Sequence, residues 1–119
     1  MTPTEFQTSA SSLAIDMTLA RTLALAYRSE IPEKVLALCQ MAPDGDFFEG
    51  KFCRKLSVRE ILHATGDLHV DFVRTGFLPL FDCGDNDFIV YRFSDGKWLK
   101  FNIVDEITFR ESDDWKSLI

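Results

Sequence analysis

Residues 77–103, FLPLFDCGDNDFIVYRFSDGKWLKFNI, decide how this chain is read. A Leu78-Pro79 step leads into an acidic turn, Asp82-Cys83-Gly84-Asp85-Asn86-Asp87. An aromatic-rich run over 88–93 follows, then Ser94-Asp95-Gly96-Lys97, then a second apolar run over 97–104. Asp-Gly accommodates the positive φ of a tight hairpin, so the two runs predict an antiparallel pair. With Asp95-Gly96 alone as the loop, residue 93 opposes 98, 91 opposes 100, 92 opposes 99 and 90 opposes 101. Side chains alternate across a strand. Phe88, Val90, Leu99, Phe101 and Ile103 therefore share a core face, with Arg92 as its exception. Ile89, Tyr91, Phe93, Trp98, Lys100 and Asn102 share the other face. Either a helix covers that second face, or it is a partly exposed aromatic patch of the kind that anchors protein interfaces.

Upstream, 77–81 reads as a short strand, and Glu106 to Phe109 as a further one. Residues 1–9 are polar, contain Pro3 and read as loose. From Ser11 to Arg28 the apolar spacing predicts one helix. Ile31-Pro32 opens another, with Glu33 at its positive end, and Pro43-Asp44-Gly45 stops it. Residues 46–56 read as extended. Ser57-Val58-Arg59-Glu60 is a capping box that starts a helix ending near Gly66; 68–75 is either a helical turn or an extended link. Ser112 is placed to cap a terminal helix, DDWKSLI. Helices and antiparallel strands without βαβ alternation make the class α+β. The expectation is one domain over 1–119, with an antiparallel or mixed sheet of about four to six strands packed by N-terminal, central and C-terminal helices.

Composition limits the function. The chain has 119 residues, 46% of them hydrophobic, and eleven are Phe. The net charge is −6, with −1 in residues 1–60 and −5 in residues 61–119. Such a surface repels phosphate, which argues against direct nucleic-acid binding, and it attracts a basic partner. Cys39, Cys53 and Cys83 are odd in number and form no C-x-x-C. They read as reduced packing thiols of a cytoplasmic protein. The N-terminal stretch lacks a basic region, and its apolar part is broken by Asp16 and Arg21, so neither a signal peptide nor a spanning helix is expected.

Motifs for nucleotide, zinc-protease or serine-hydrolase chemistry are not present. His63 and His69 stand about 600° apart on a helix, and no ligand spacing joins them to a cysteine as a zinc site. A Cys53–histidine nucleophile pair is the enzymatic alternative. The acidic turn fails the EF-hand pattern, because Asp87 and Phe93 stand where Gly and Glu are needed. No metal and no cofactor are expected. The turn carboxylates either bond their own backbone or receive Lys and Arg from a protein.

In order, Ile31-Pro32 before a helix, Asp44-Gly45, Leu78-Pro79 before Gly84-Asp85-Asn86-Asp87, the 88–93 strand, the Asp95-Gly96 hairpin and Ser112 with Trp115-Lys116-Ser117-Leu118 resemble the SUKH superfamily. These are small α+β domains related to yeast cell-wall synthesis regulators. Ile31 stands where the family has Leu, Asn86 stands where a Gly often precedes the Asp, and the tryptophan-containing strand motif after the hairpin is missing. The resemblance implies a bacterial immunity protein that binds and neutralises a cognate toxin, often a nuclease. On that reading Asp82, Asp85 and Asp87 steer and pair with basic groups, and Tyr91, Phe93 and Trp98 supply contact area. A regulatory or scaffold module with an endogenous partner is the alternative.

Overall fold

The computed structural model describes residues 1–119, and the chain is an α+β single domain. Its element order is α1 (Pro3–Ser11), α2 (Met17–Tyr27), α3 (Glu33–Gln40), β1 (Phe47–Phe48), β2 (Lys51–Phe52), β3 (Arg54–Lys55), α4 (Val58–Leu62), α5 (Ala64–Leu68), α6 (Phe72–Thr75), β4 (Phe77–Asp82), β5 (Asp87–Arg92), β6 (Trp98–Asn102) and β7 (Ile107–Ser112), closed by a 3-10 helix (Trp115–Leu118). Strands β1 and β2 pair by themselves, and β3-β4-β5-β6-β7 form one antiparallel sheet in chain order.

The N-terminus departs from expectation. Residues 3–11 are helical because Thr2-Pro3-Thr4-Glu5 is itself a capping box. The Thr2 hydroxyl accepts the Glu5 N–H at 3.1 Å, and the Glu5 carboxylate accepts the Thr2 N–H at 3.0 Å. Pro3 sits at the start, where its missing N–H costs nothing. Phe6 and Ala10 are buried by this helix. The helix expected over Ser11 to Arg28 is two helices. Asp16 caps α2 by accepting from the Thr18 and Leu19 N–H groups. The Gln40 amide satisfies the link between them, donating to the Ala14 carbonyl at 2.8 Å and accepting from the Asp16 N–H at 2.9 Å.

The Ser57–Glu60 capping box forms as expected. Helical structure then runs past Gly66 to Leu68, and Phe72–Thr75 is a helical turn. In the terminal segment it is Asp114, not Ser112, that caps the helix, by accepting from the Lys116 N–H.

The central hairpin is shifted by two residues from the expected register: Tyr91 opposes Trp98, Val90 opposes Leu99 and Phe88 opposes Phe101. Its loop spans 93–96. The Asp95 carboxylate explains this, since it accepts from both the Arg92 guanidinium and the Lys97 N–H and so holds a wider turn closed. A shift of two preserves the alternation, so each residue keeps its expected face. Both faces are buried, however. Phe81 opposes Ile89, and on that side Phe81 stacks on Trp115 at 4.6 Å with Phe6 and Phe48 edge-on or tilted around them. On the other side Phe101 meets Phe72 of α6 and Phe77.

One charged side chain is buried in this core. Lys55 is 1% exposed. Its ammonium donates to the carbonyls of Cys39 and Met41 at 3.1 Å each, and of Leu56 at 2.6 Å. It therefore closes the negative end of α3, where carbonyls lack partners within the helix. Burial pushes its pKa down from 10.5 to about 8.

Candidate partner-binding surface

The acidic turn is built by its own side chains. Asp82 accepts the Gly84 N–H at 2.9 Å, and the Asp87 N–H returns to the Gly84 carbonyl at 2.9 Å. Gly84, Asp85 and Asn86 take left-handed backbone, with φ of 82°, 54° and 66°. Gly tolerates this freely, and Asp and Asn better than most residues. Asp82 also lies 3.8 Å from Arg54, which is held by Glu60 through two 2.9 Å bonds. Asp87 accepts from the Asn102 amide at 2.9 Å. Two of the three carboxylates are thus occupied within the fold, and of the three only Asp85 is exposed.

Asn102 joins this turn to the next. Its oxygen accepts the Val104 and Asp105 N–H groups at 3.0 Å each, and the Ile103 N–H donates to the Asn86 carbonyl. The β4–β5 and β6–β7 turns therefore sit side by side at one end of the sheet. The β1–β2 hairpin flanks them: Phe52 packs so closely on the turn that a methyl on Gly84 would lie 3.4 Å from its ring. Residues 44–51, 82–87 and 103–106 together hold eight acidic residues against Lys51. Four large apolar side chains stand exposed beside them, namely Phe47 and Phe52, edge to face at 5.7 Å, with Val104 (68% exposed) and Ile107.

The aromatic residues expected to anchor a partner are elsewhere. Tyr91 and Trp98 are buried at 6% and 5% exposure, and Phe93 is half-buried. Tyr91 packs on Trp98 at 5.2 Å and on Phe93 at 5.7 Å, and Phe93 also meets Tyr27 of α2. The exposed-patch reading of this face is corrected, because helical structure covers it. The groups that sequence reasoning missed, Phe47, Phe52, Val104 and Ile107, have a signal of their own: large apolar residues beside Gly50 and within the acidic 104–107 stretch, too near turns to be packed.

Strand β7 continues this surface as a sheet edge. Every residue from Ile107 to Glu111 is exposed, including Phe109. No three His, Cys, Asp or Glu side chains gather as a metal-binding group. His63 and His69 are both exposed, and the neighbour that most alters the Cys53 thiol is Cys83, not an imidazole. No helix is long and apolar enough to cross a membrane.

No family model matches the chain, and no curated protein or solved structure matches it.

Proposed function

We propose that this chain is a cytoplasmic, non-enzymatic protein-binding domain of the SUKH type, acting as an immunity protein against a basic toxin domain. One observation carries the reading: three acidic turns line one end of the sheet, with exposed apolar side chains set among them. Negative charge speeds the encounter with a basic surface. Desolvated aromatic and aliphatic groups then supply most of the lasting affinity. Asp85, Asp105 and Glu106 steer, Phe47, Phe52, Val104 and Ile107 make contact, and Asp82 and Asp87 keep the turn in shape. Tyr91, Phe93 and Trp98 pack at the opposite end of the hairpin, beside the 93–96 loop, and take no part in this surface. The toxin is neutralised by steric and electrostatic blockade.

The test is binding of the purified product of the toxin-like gene beside this chain's own gene, at low and high salt. Asp85→Lys with Asp105→Lys should slow association and flatten its salt dependence. Phe47→Ala with Phe52→Ala should speed dissociation by roughly tenfold or more. Unchanged rates in both variants would remove this surface from the mechanism. If no such gene adjoins and an endogenous protein binds the same surface, the domain is a regulatory module.

A further inference from the structure

Strands β3 and β4 pair antiparallel with Arg54 opposite Asp82 and Lys55 opposite Phe81. One step outward, the same register sets Cys53 opposite Cys83. The ladder bonds fix the kind of position this is. The Leu56 N–H donates to the Leu80 carbonyl, so 56 with 80 and 54 with 82 are hydrogen-bonded positions, while 55 with 81 and 53 with 83 are not. The N–H groups agree: that of Cys53 turns away to the Asp46 carbonyl at 2.8 Å, and that of Cys83 to the Asp87 carbonyl at 2.8 Å. At such a non-bonded pair the Cα atoms approach to about 4.5 Å and the side chains are closest, which lies inside the window a disulfide spans.

We propose that Cys53 and Cys83 are a reversible dithiol–disulfide couple, oxidised by a peroxide and reduced by small thiols, that locks β3 to the acidic turn. Cys83 is the half-exposed member, and Cys53 is buried behind it. The neighbouring Cys53 thiol holds the Cys83 pKa below the ordinary thiol range, with the Lys100 ammonium acting in the same direction. The same pairing pushes Cys53 up. Because Cys83 is the member that solvent reaches, it is the attacking thiolate, and the buried Cys53 is the resolving thiol. Sulfur of Cys83 bonds to one peroxide oxygen as the O–O bond breaks, and the departing hydroxide takes the thiol's proton to give water. Cys53 then attacks the sulfenic sulfur. The S–S bond forms, the S–O bond breaks, and the hydroxyl leaves with the Cys53 proton as a second water. Two thiols lose two electrons, and one peroxide becomes two waters.

The test treats the reduced, folded chain with a slight excess of hydrogen peroxide and reads intact mass and peptide maps. The expected product is lighter by about 2 Da, carries a 53–83 cross-link, and reverts with dithiothreitol. Cys39→Ser should cross-link as the parent does, since Cys39 is buried and its pKa is pushed up by burial to about 12. Cys53→Ser should instead leave Cys83 as a sulfenic or sulfinic acid. Oxidation of the parent chain without a 53–83 cross-link, or a cross-link that needs Cys39, would overturn the proposal.

Discussion

Replacing Lys55 by Met tests the electrostatics of this core. The ammonium is enclosed and bonded to three carbonyls, yet burial still sets its pKa at about 8, against 10.5 in an unfolded chain. Below pH 8 both states carry the proton. Between pH 8 and 10.5 the unfolded chain binds a proton that the folded chain does not, so stability rises with pH through that window. By pH 9.5 the gain over pH 7 is roughly 2 kcal/mol. Cys39 and Tyr27 act in the opposite sense, because burial raises both pKa values and the folded chain keeps protons that the unfolded chain releases. Both residues are present in Lys55→Met, so to first order they cancel in the difference between parent and variant. The offset at pH 7 mixes lost hydrogen bonds with relief of a buried charge; the slope isolates the ionisation. Urea unfolding in reducing buffer, followed by fluorescence of the buried Trp98 and Trp115, measures it. The parent-minus-variant difference should grow by about 2 kcal/mol from pH 7 to 9.5, near 1 M in midpoint for an ordinary slope. A difference constant to within about 0.5 kcal/mol would refute the argument.

Phe6→Ala should cost about 3–5 kcal/mol, because its ring is enclosed by Phe48, Phe81 and Trp115; a loss under about 1 kcal/mol would mean that α1 is not docked in solution. Glu60→Gln bears on acid stability. Arg54 holds the Glu60 pKa down at about 2, so its contribution is complete above about pH 4.5 and fades as pH falls toward 2. With both side chains partly exposed, about 1 kcal/mol at pH 7 is expected after screening, and the variant's acid transition should be correspondingly shallower. Tyr27→Phe removes the buried bond from the Tyr27 hydroxyl to the Ile61 carbonyl, and thermal or urea unfolding should show a loss of about 1–2 kcal/mol.

Local chemistry was readable where one side chain meets one backbone group. The Ser57–Glu60 box and the strand alternation through Phe88 and Phe101 needed no knowledge of the rest of the chain. The Thr2–Glu5 box carries the same signal, but Pro3 and the polar composition around it read as disorder. What rescues α1 is Phe6, whose burial depends on Phe81 and Trp115, far along the chain. Asp16 looked like an interruption of an apolar helix because capping and charge have the same letter. The hairpin register turned on Asp95 serving Arg92 and Lys97 together, a tertiary choice that propensity does not encode. The fate of Tyr91 and Trp98 was equally non-local. An aromatic strand face reads alike whether water or a helix lies above it, and only the docking of α2, α3 and the last 3-10 helix decides between them.

The Trp115 indole N–H donates to the Gln7 side-chain oxygen at 2.8 Å, across 108 positions of chain. On the ribosome, Gln7 emerges early and must wait while every strand is made before its partner exists. Until residue 115 has cleared the exit, Phe6 lacks one of the three rings that enclose it. The bond thus acts as a latch between two segments far apart in the chain, and α1 is not fully packed until the 3-10 helix joins it. Stalling translation just short of residue 115 should leave a species whose first helix is still accessible to protease.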